Sequence, residues 1–320
     1  MEIGGTLVAP GTVAEVWVPI GQAADGTDLK LPIKVARGAK AGSVLWVNAA
    51  IHGDELEGTA GLWEAFRQID VGALAGALVG VMITNMSAFY AMRRTSPFDD
   101  LDVNRIFPGD RARSHTWQLA HDYKRLVEAH ATHYIDLHGG GNYHDVVFYT
   151  IYRDGDSPAV RVSRDMALAC GSGITWRSSD RWLDQGLFSL LTAQGIPCVI
   201  VECGGEGRVR PKNVNDHANS ILNVMRYLRM IPGTAAVREP RISVSSADFF
   251  FSQTGGIWTP DRKVGEVLRS GDLVGTMRDC YGAVREEVRC GTPNGVLLAL
   301  RTYAAAPSGS SLGIIGVIEH

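Results

Sequence analysis

Short apolar runs alternate with amphipathic stretches along the first 230 residues of the chain. The apolar run at residues 44–51 has the length and β-branched content of a buried strand, and a helical repeat of apolar positions follows at residues 56–69. A Gly-rich linker then leads to a second apolar run at residues 77–84. This strand–helix–strand succession predicts an α/β domain with a largely parallel or mixed central sheet.

The remaining periodic segments extend the same pattern on both sides. Residues 12–20 and 31–36 are β-like runs separated by a Gly/Asp turn, which predicts an antiparallel lead-in at the edge of the sheet. Further strands are predicted at residues 133–138, 146–151 and 196–201, and helices at residues 114–131, 157–170, 186–194 and 212–230. We therefore expect a mixed central sheet flanked by helices.

The pattern changes after residues 231–240, which read as a linker containing Pro and Gly. Beyond them, short β-like runs are punctuated by glycine, which predicts a small all-β module. We expect an α/β domain at residues 1–235 and a C-terminal accessory domain of the β-sandwich or barrel type at residues 236–320. The module is similar in pattern to a biotinyl/lipoyl β-sandwich, but no lysine stands at a hairpin tip as attachment requires. It is predicted to border the active-site mouth or an oligomer contact.

Composition and charge exclude several classes of function. The chain has 320 residues, a net charge of −3 and no apolar window of about 18 residues, so we expect no transmembrane helix. Its first residues lack the basic start and apolar core of a secretion signal, and its five cysteines form no Cys-x-x-Cys pair, which favours the cytoplasm. Arginines are scattered among acids, which argues against nucleic acid and membrane partners. Homo-oligomerisation is left open.

The predicted strand at residues 44–51 ends at a His-x-x-Glu pair, His52 and Glu55. A tight turn at the carboxyl edge of a sheet can aim an imidazole and a carboxylate at one point. Such a pair is common by chance and binds a metal only if a third ligand arrives from elsewhere. His138 ends another predicted strand. Asp136 either hydrogen-bonds to the free nitrogen of that ring or pairs with a backbone N–H.

A fourth polar residue, Glu202, ends the predicted strand at residues 196–201. Burying an acid beside apolar residues is costly unless the acid is paired or used. Two histidines and one carboxylate (His52, Glu55 and His138) leave one tetrahedral position of Zn²⁺ open for water, so we predict one Zn²⁺ per chain. Glu202 is then free to act as a general base that takes a proton from that water.

A long irregular segment, residues 85–113, adds cationic candidates. Arg94 suits the oxyanion of a tetrahedral intermediate. Asn104 and Arg105 together can hold a substrate carboxylate. The alternative is that these arginines only neutralise the acids around them, which are Asp99, Asp100, Asp102 and Asp110.

Four motifs occur in one order along the chain: His52-Gly53-Asp54-Glu55; Arg94-Thr95-Ser96-Pro97 with Asp102-Val103-Asn104-Arg105-Ile106-Phe107-Pro108-Gly109; Asp136-Leu137-His138; and Val201-Glu202-Cys203-Gly204. In these motifs, and in its C-terminal β module, the chain resembles the succinylglutamate desuccinylase/aspartoacylase family over nearly its whole length. The resemblance implies a catalytic domain similar to zinc carboxypeptidases.

By resemblance, His52, Glu55 and His138 bind Zn²⁺, and Glu202 is the general base. The resemblance also implies that Arg94 polarises the scissile carbonyl, while Asn104 and Arg105 hold the substrate carboxylate. One departure is the Cys-Gly-Gly run after Glu202, where better-known members have other residues, so the acyl group and the amino acid stay open.

The leading hypothesis is a zinc-dependent deacylase, for example a deacetylase, that cleaves the amide bond of a small N-acyl amino acid. Some bacterial relatives look similar in deacetylating N-acetyl-diaminobutyrate during ectoine breakdown. Two alternatives are a zinc carboxypeptidase acting on peptides, which needs an open cleft, and a metal-binding protein without catalysis, which has no use for a general base.

Overall fold

The structure is a computed structural model that describes residues 1–235, 237 and 239–319. Its α-helices are α1 (Glu57–Gln68), α2 (Met86–Tyr90), α3 (His115–His130), α4 (Pro158–Cys170), α5 (Leu187–Ala193) and α6 (Pro211–Tyr227). Its strands are β1 (Glu2–Ile3), β2 (Thr6–Leu7), β3 (Thr12–Gln22), β4 (Asp28–Arg37), β5 (Lys40–Asn48), β6 (Ala75–Val81), β7 (His133–His138), β8 (His144–Arg153), β9 (Ile174–Ser178), β10 (Cys198–Gly205), β11 (Ile242–Phe251), β12 (Gly256–Pro260), β13 (Val267–Arg269), β14 (Leu273–Arg278), β15 (Val284–Arg289), β16 (Asn294–Arg301), β17 (Ala305–Ala306) and β18 (Ser311–Ile318).

A twelve-stranded mixed sheet runs through the described part of the chain in the order β13-β16-β18-β11-β9-β8-β10-β7-β5-β6-β4-β3. Its central strands β10, β7, β5 and β6 are parallel, whereas β3 and β4 at one edge are antiparallel. Strand β16 also pairs with β8, so five strands close into a ring and that part of the sheet is barrel-like. The prediction of a mixed sheet flanked by helices is confirmed.

Helices cover both faces of the central sheet. Along β5, Leu45 and Val47 pack on the face covered by α1, α4 and α6, while Trp46 packs with α3 on the opposite face. Successive residues of a strand point to opposite faces, so a strand buried on both sides reads as a continuous apolar run. This arrangement explains why residues 44–51 show no polar alternation.

Two elements differ from the sequence prediction. Strand β9 was not predicted, and α2 lies inside the segment that was expected to be irregular. In addition, β10 continues beyond Glu202, with a shift of its register to β8 between Glu202 and Gly204. The two glycines at 204 and 205 adopt positive φ angles there, which an apolar periodicity does not indicate.

Every element described after residue 241 is a strand, as predicted for the C-terminal module. Four of these strands (β11, β13, β16 and β18) belong to the large sheet, and β12, β14, β15 and β17 form a separate four-stranded sheet. The boundary predicted between residues 235 and 236 falls at a position outside the described residues. The division into two domains therefore stays a prediction. No helix in the described part of the chain is long and apolar enough to cross a membrane.

Candidate functional site

The site begins where three neighbouring parallel strands end at one edge of the sheet. β7 lies between β5 and β10, with Asn48 opposite Asp136 and Glu202 opposite His138. Because these strands run in the same direction, the segments that follow them emerge on the same side. The sheet thus brings together residues that are about 150 positions apart in the sequence, as expected from the strand pattern.

The turn after β5 aims two side chains inward. The Glu55 backbone N–H donates to the His52 carbonyl, with 3.2 Å between nitrogen and oxygen. Gly53 packs against α2 so closely that a Cβ atom there would lie 2.1 Å from the carbonyl carbon of Ala88. Only glycine fits at that position. The turn is therefore fixed by packing, and both His52 and Glu55 are buried.

Glu55 lies between two imidazoles. One of its carboxylate oxygens is 2.8 Å from Nδ1 of His52, and the other is 2.9 Å from Nδ1 of His138. The backbone N–H of Gly139 also donates to this carboxylate, at 3.1 Å. Although burial opposes ionisation, the two adjacent imidazoles hold the pKa of Glu55 well below its usual range.

These three buried residues fit a divalent metal ion. One ligand-type atom from each of His52, Glu55 and His138 lies within 4.8 Å of the others. Two imidazole nitrogens and one carboxylate oxygen form the donor set that Zn²⁺ accepts in sites that keep a position open. The residues predicted as metal ligands are therefore brought together.

Each histidine has a carboxylate on its other ring nitrogen. Nε2 of His52 lies 3.1 Å from Asp102, and Nε2 of His138 lies 3.2 Å from Oδ2 of Asp136 at an ion-pair distance, without hydrogen-bond alignment. The other oxygen of Asp136 accepts from the Asn48 side chain. Neither sequence interpretation of Asp136 is met in full, because one of its oxygens lies beside the His138 ring without an aligned hydrogen bond and the other is bound by an amide side chain rather than a backbone N–H. From the sequence, Asp102 is expected only as a charge partner of arginine.

Arg94 lies at the cavity, whereas Arg93 does not. Its guanidinium donates two hydrogen bonds to one oxygen of Asp102, at 2.9 and 3.1 Å, and a third to Glu55 at 3.1 Å. Arg93 instead donates to backbone carbonyls of its own loop and to Asp100. Arg94 thus neutralises acids, as the alternative interpretation had it, and does so beside the candidate metal ligands.

Asn104 and Arg105 lie in a short 3₁₀ turn, Val103–Arg105, that Asp102 caps. The Asn104 side chain already has protein partners: its amide nitrogen lies 3.2 Å from Nε2 of His138, and its oxygen accepts from the Leu187 N–H at 3.2 Å. Arg105 donates to the Asn104 carbonyl at 2.9 Å, and its guanidinium carbon lies 5.2 Å from the centre of the Trp182 ring. The remaining donors of Arg105 are available to a ligand.

Glu202 lines the same cavity as the candidate ligands. No group in the described ranges hydrogen-bonds to its carboxyl. Burial, assisted by the charge of Glu55, raises the pKa of Glu202 to about 7, and His138 opposes that rise. A carboxyl with this pKa can accept a proton near neutral pH.

The loop that follows Glu202 is anchored by α1. Glu57, at the first position of that helix, accepts from the N–H groups of Gly205 and Arg210 at 2.6 and 2.9 Å, and from the Asn213 side chain at 2.9 Å. This buried carboxylate ties the end of β10 to the start of α6. No motif in the sequence had singled it out.

The cavity has a volume of about 690 Å³, and its lining has a polar part and an apolar part. The polar part includes the candidate metal ligands, Arg94, Arg105 and Glu202. Strands β8, β11, β16 and β18 supply apolar side chains to the rest of the lining, so residues of the C-terminal module contribute directly to the site. This agrees with one of the two positions predicted for that module, beside the mouth of the site.

Comparison with known proteins identifies relatives of the whole chain. A family model described as the succinylglutamate desuccinylase/aspartoacylase catalytic domain matches residues 41–228. The chain is similar to the N-alpha-acetyl-L-2,4-diaminobutyric acid deacetylase of Halomonas elongata, with 25% identity over 295 residues that cover 90% of this chain and 86% of that protein.

Solved structures share the fold at lower sequence identity. The product-bound ectoine utilization protein of Ruegeria pomeroyi superposes with a TM-score of 0.85 at 23% identity, covering 95% of both chains. A succinylglutamate desuccinylase/aspartoacylase from Rhodobacter sphaeroides gives a TM-score of 0.84 at 22% identity, covering 96% of this chain and 95% of that one. The fold described above is therefore the fold of these proteins.

Proposed function

Because the chain belongs to the succinylglutamate desuccinylase/aspartoacylase family, we propose that it is a zinc-dependent hydrolase that cleaves the amide bond of a small N-acyl amino acid. The observation that carries this proposal is the position of the buried Glu55 carboxylate between Nδ1 of His52 and Nδ1 of His138. The carboxyl of Glu202 lies in the same cavity. The Halomonas relative, whose name describes removal of an acetyl group from an amino acid nitrogen, supports the reaction class.

In this proposal, His52, Glu55 and His138 would hold one Zn²⁺. When bound, the ion supplies Lewis-acid chemistry: it polarises a carbonyl oxygen and lowers the pKa of water toward about 7. Asp102 would orient His52 through Nε2, and the charge of Asp136 lies 3.2 Å from Nε2 of His138, so that each ring would present Nδ1 to the ion.

Glu202 then serves as the proton carrier. Its carboxylate accepts a proton from the attacking water and passes that proton to the leaving amine nitrogen. The raised pKa suits both halves of this task, because a group that titrates near the working pH gains and loses a proton at comparable cost.

Arg94 and Arg105 would bind two different groups of the substrate, the amide carbonyl and the carboxylate. Arg94, held by Asp102, would stabilise the negative charge that develops on the amide oxygen during the reaction. Arg105 has donors left for the substrate carboxylate. Asn104 supports it through the backbone carbonyl that Arg105 contacts.

The Arg105→Lys variant is expected to raise KM for carboxylate substrates by about tenfold or more, because an ammonium cannot reproduce the planar fork of a guanidinium. Steady-state kinetics with an N-acyl amino acid measures this effect. The same comparison with the N-acyl amino acid amide, which lacks the carboxylate, should show little difference. An unchanged KM for the acid would mean that Arg105 does not contact the substrate carboxylate.

The Asp102→Asn variant is expected to bind zinc about 10–100-fold more weakly, because the carboxylate that orients His52 and holds Arg94 loses its charge. Competition with a chelating dye measures the affinity. Asp100→Asn is the matched control, since Asp100 pairs with Arg93 at the surface of the same loop. Equal zinc affinity in both variants would contradict the orienting role of Asp102.

The proposed function itself is tested by removing metal, adding back Zn²⁺ and assaying a panel of N-acyl amino acids. Zinc-restored hydrolysis of at least one member is expected, and retention of zinc without hydrolysis of any amide would revive the alternative of a non-catalytic metal protein. A blocked dipeptide belongs in the panel. The lining supplied by the C-terminal strands favours small substrates over peptides, so slow turnover of that dipeptide is expected.

A further inference from the structure

The apolar part of the cavity lining contains a continuous aromatic wall, which we define as Trp182, Phe249 and Phe251. The rings of Trp182 and Phe249 meet edge to face with 5.1 Å between their centres, and those of Phe249 and Phe251 stack at 6.4 Å. Phe249 is 40% exposed and Phe251 is 48% exposed. Two phenylalanines on one face of β11 thus border the active-site cavity with large exposed apolar surfaces.

The aromatic wall starts at the group proposed to hold the substrate carboxylate. The guanidinium of Arg105 lies over the Trp182 ring, at 5.2 Å from its centre. In an amino acid, the carboxylate and the side chain leave from the same α-carbon. The acylamino group leaves that carbon too, but its carbonyl has to reach the candidate metal ligands. With the carboxylate on Arg105, the side chain is then the remaining large substituent, and it lies beside Trp182 and Phe249.

The charges around the aromatic wall disfavour a cationic side chain. The acids that line the cavity in the described ranges are Asp54, Glu55, Asp102 and Glu202. All four belong to the segments around the candidate metal ligands, and none lies on β8, β11, β16 or β18. A face of the Trp182 ring is already occupied by the Arg105 guanidinium, which would repel a second cation seeking the same ring.

We propose that the amino acid released by this enzyme carries a bulky apolar side chain, aromatic or long aliphatic, which the aromatic wall binds. This proposal rests on the proposed function and specifies its substrate class. The physical basis is the removal of exposed phenylalanine surface from water when an apolar side chain fills this part of the cavity.

Binding to the zinc-loaded Glu202→Gln variant tests this proposal without requiring turnover. Calorimetry should give a dissociation constant for N-acetyl-L-phenylalanine that is about tenfold or more below those for N-acetylglycine and N-acetyl-L-2,4-diaminobutyrate. Equal or tighter binding of the diaminobutyrate compound would overturn the proposal. N-phenylacetylglycine places the same ring on the acyl side, and tighter binding of that compound would also overturn it.

A substitution in the aromatic wall gives a second readout. Phe251→Ala in the Glu202→Gln background should reduce the ratio of N-acetyl-L-phenylalanine to N-acetylglycine affinity by about tenfold. Tyr281→Ala is the matched control, because Tyr281 is a 94% exposed aromatic outside the cavity. An unchanged ratio in Phe251→Ala overturns the assignment. If Phe251→Ala does not fold, the dissociation constants measured on the Glu202→Gln protein still test the proposal.

Failure of the proposed function has a different signature. If the otherwise unaltered zinc-loaded protein hydrolyses no N-acyl amino acid while the binding preference for the phenylalanine compound holds, the reaction is wrong and the aromatic subsite stands. If hydrolysis occurs with a preference for small or charged amino acids, the reaction stands and the aromatic subsite is wrong.

Discussion

The Glu202→Gln variant is expected to lose about 10²–10⁴-fold in kcat while keeping its zinc and its fold. Glutamine has the shape of glutamate but does not accept a proton from water. In the described part of the chain, no group hydrogen-bonds to the Glu202 carboxyl, so the exchange breaks no existing hydrogen bond of the protein. The loss should therefore appear in kcat rather than in stability.

Three measurements separate this outcome from its alternatives: kcat on a hydrolysed N-acyl amino acid, zinc content, and melting temperature. Glu287→Gln is a suitable control, because Glu287 is an exposed acid on β15, paired with Arg289 outside the cavity. A fall in kcat below about tenfold would remove Glu202 from the role of general base. A larger fall accompanied by zinc loss would assign Glu202 to metal binding instead.

The His138→Ala variant is expected to bind zinc at least about 100-fold more weakly, because the loss of a direct ligand exceeds the 10–100-fold effect typical of residues behind the ligands. The same change should reduce the stabilisation that saturating zinc gives by about 2.7 kcal/mol. It also leaves the buried Asp136 oxygen without its imidazole neighbour, so the metal-free variant is itself expected to be less stable.

The experiment therefore measures the melting temperature of each protein twice, once with zinc and once with a chelator that removes zinc. Dye competition gives the affinity, and the difference between the two melting temperatures gives the stabilisation by metal. His121→Ala is the control, since His121 pairs with Asp122 on α3 outside the cavity. A zinc-dependent shift of melting temperature in His138→Ala equal to that of wild type would exclude His138 from the metal site.

Most central elements of the fold could be predicted because their signals are local. A strand buried on both faces, such as β5, must be apolar throughout, and an amphipathic helix such as α1 must repeat its apolar positions every three or four residues. The elements that were missed carry weak local signals. Helix α2 has only five residues, and β9 has five, which is too short for a period to emerge.

The metal-ligand candidates were predictable for the same local reason. His52 and Glu55 share one turn, and His138 ends a strand, so strand ends alone indicated that these side chains meet. Asp102 was not predictable in its role. It reaches His52 across 50 residues of chain through the fold of an irregular loop, which no repeat of apolar positions describes.

The sequence alone predicted the central strands and helices, the candidate metal ligands and Glu202, because each prediction depends on residues that are neighbours in one element or lie at its end. The tertiary structure alone decided which side chains surround the substrate. Strand β16 pairs with β8, and β11 carries Phe249 and Phe251 to a site whose ligands lie more than 100 residues earlier in the chain. Such contacts depend on how whole sheets close, and the free energy of that closure is spread over many residues rather than encoded in a motif.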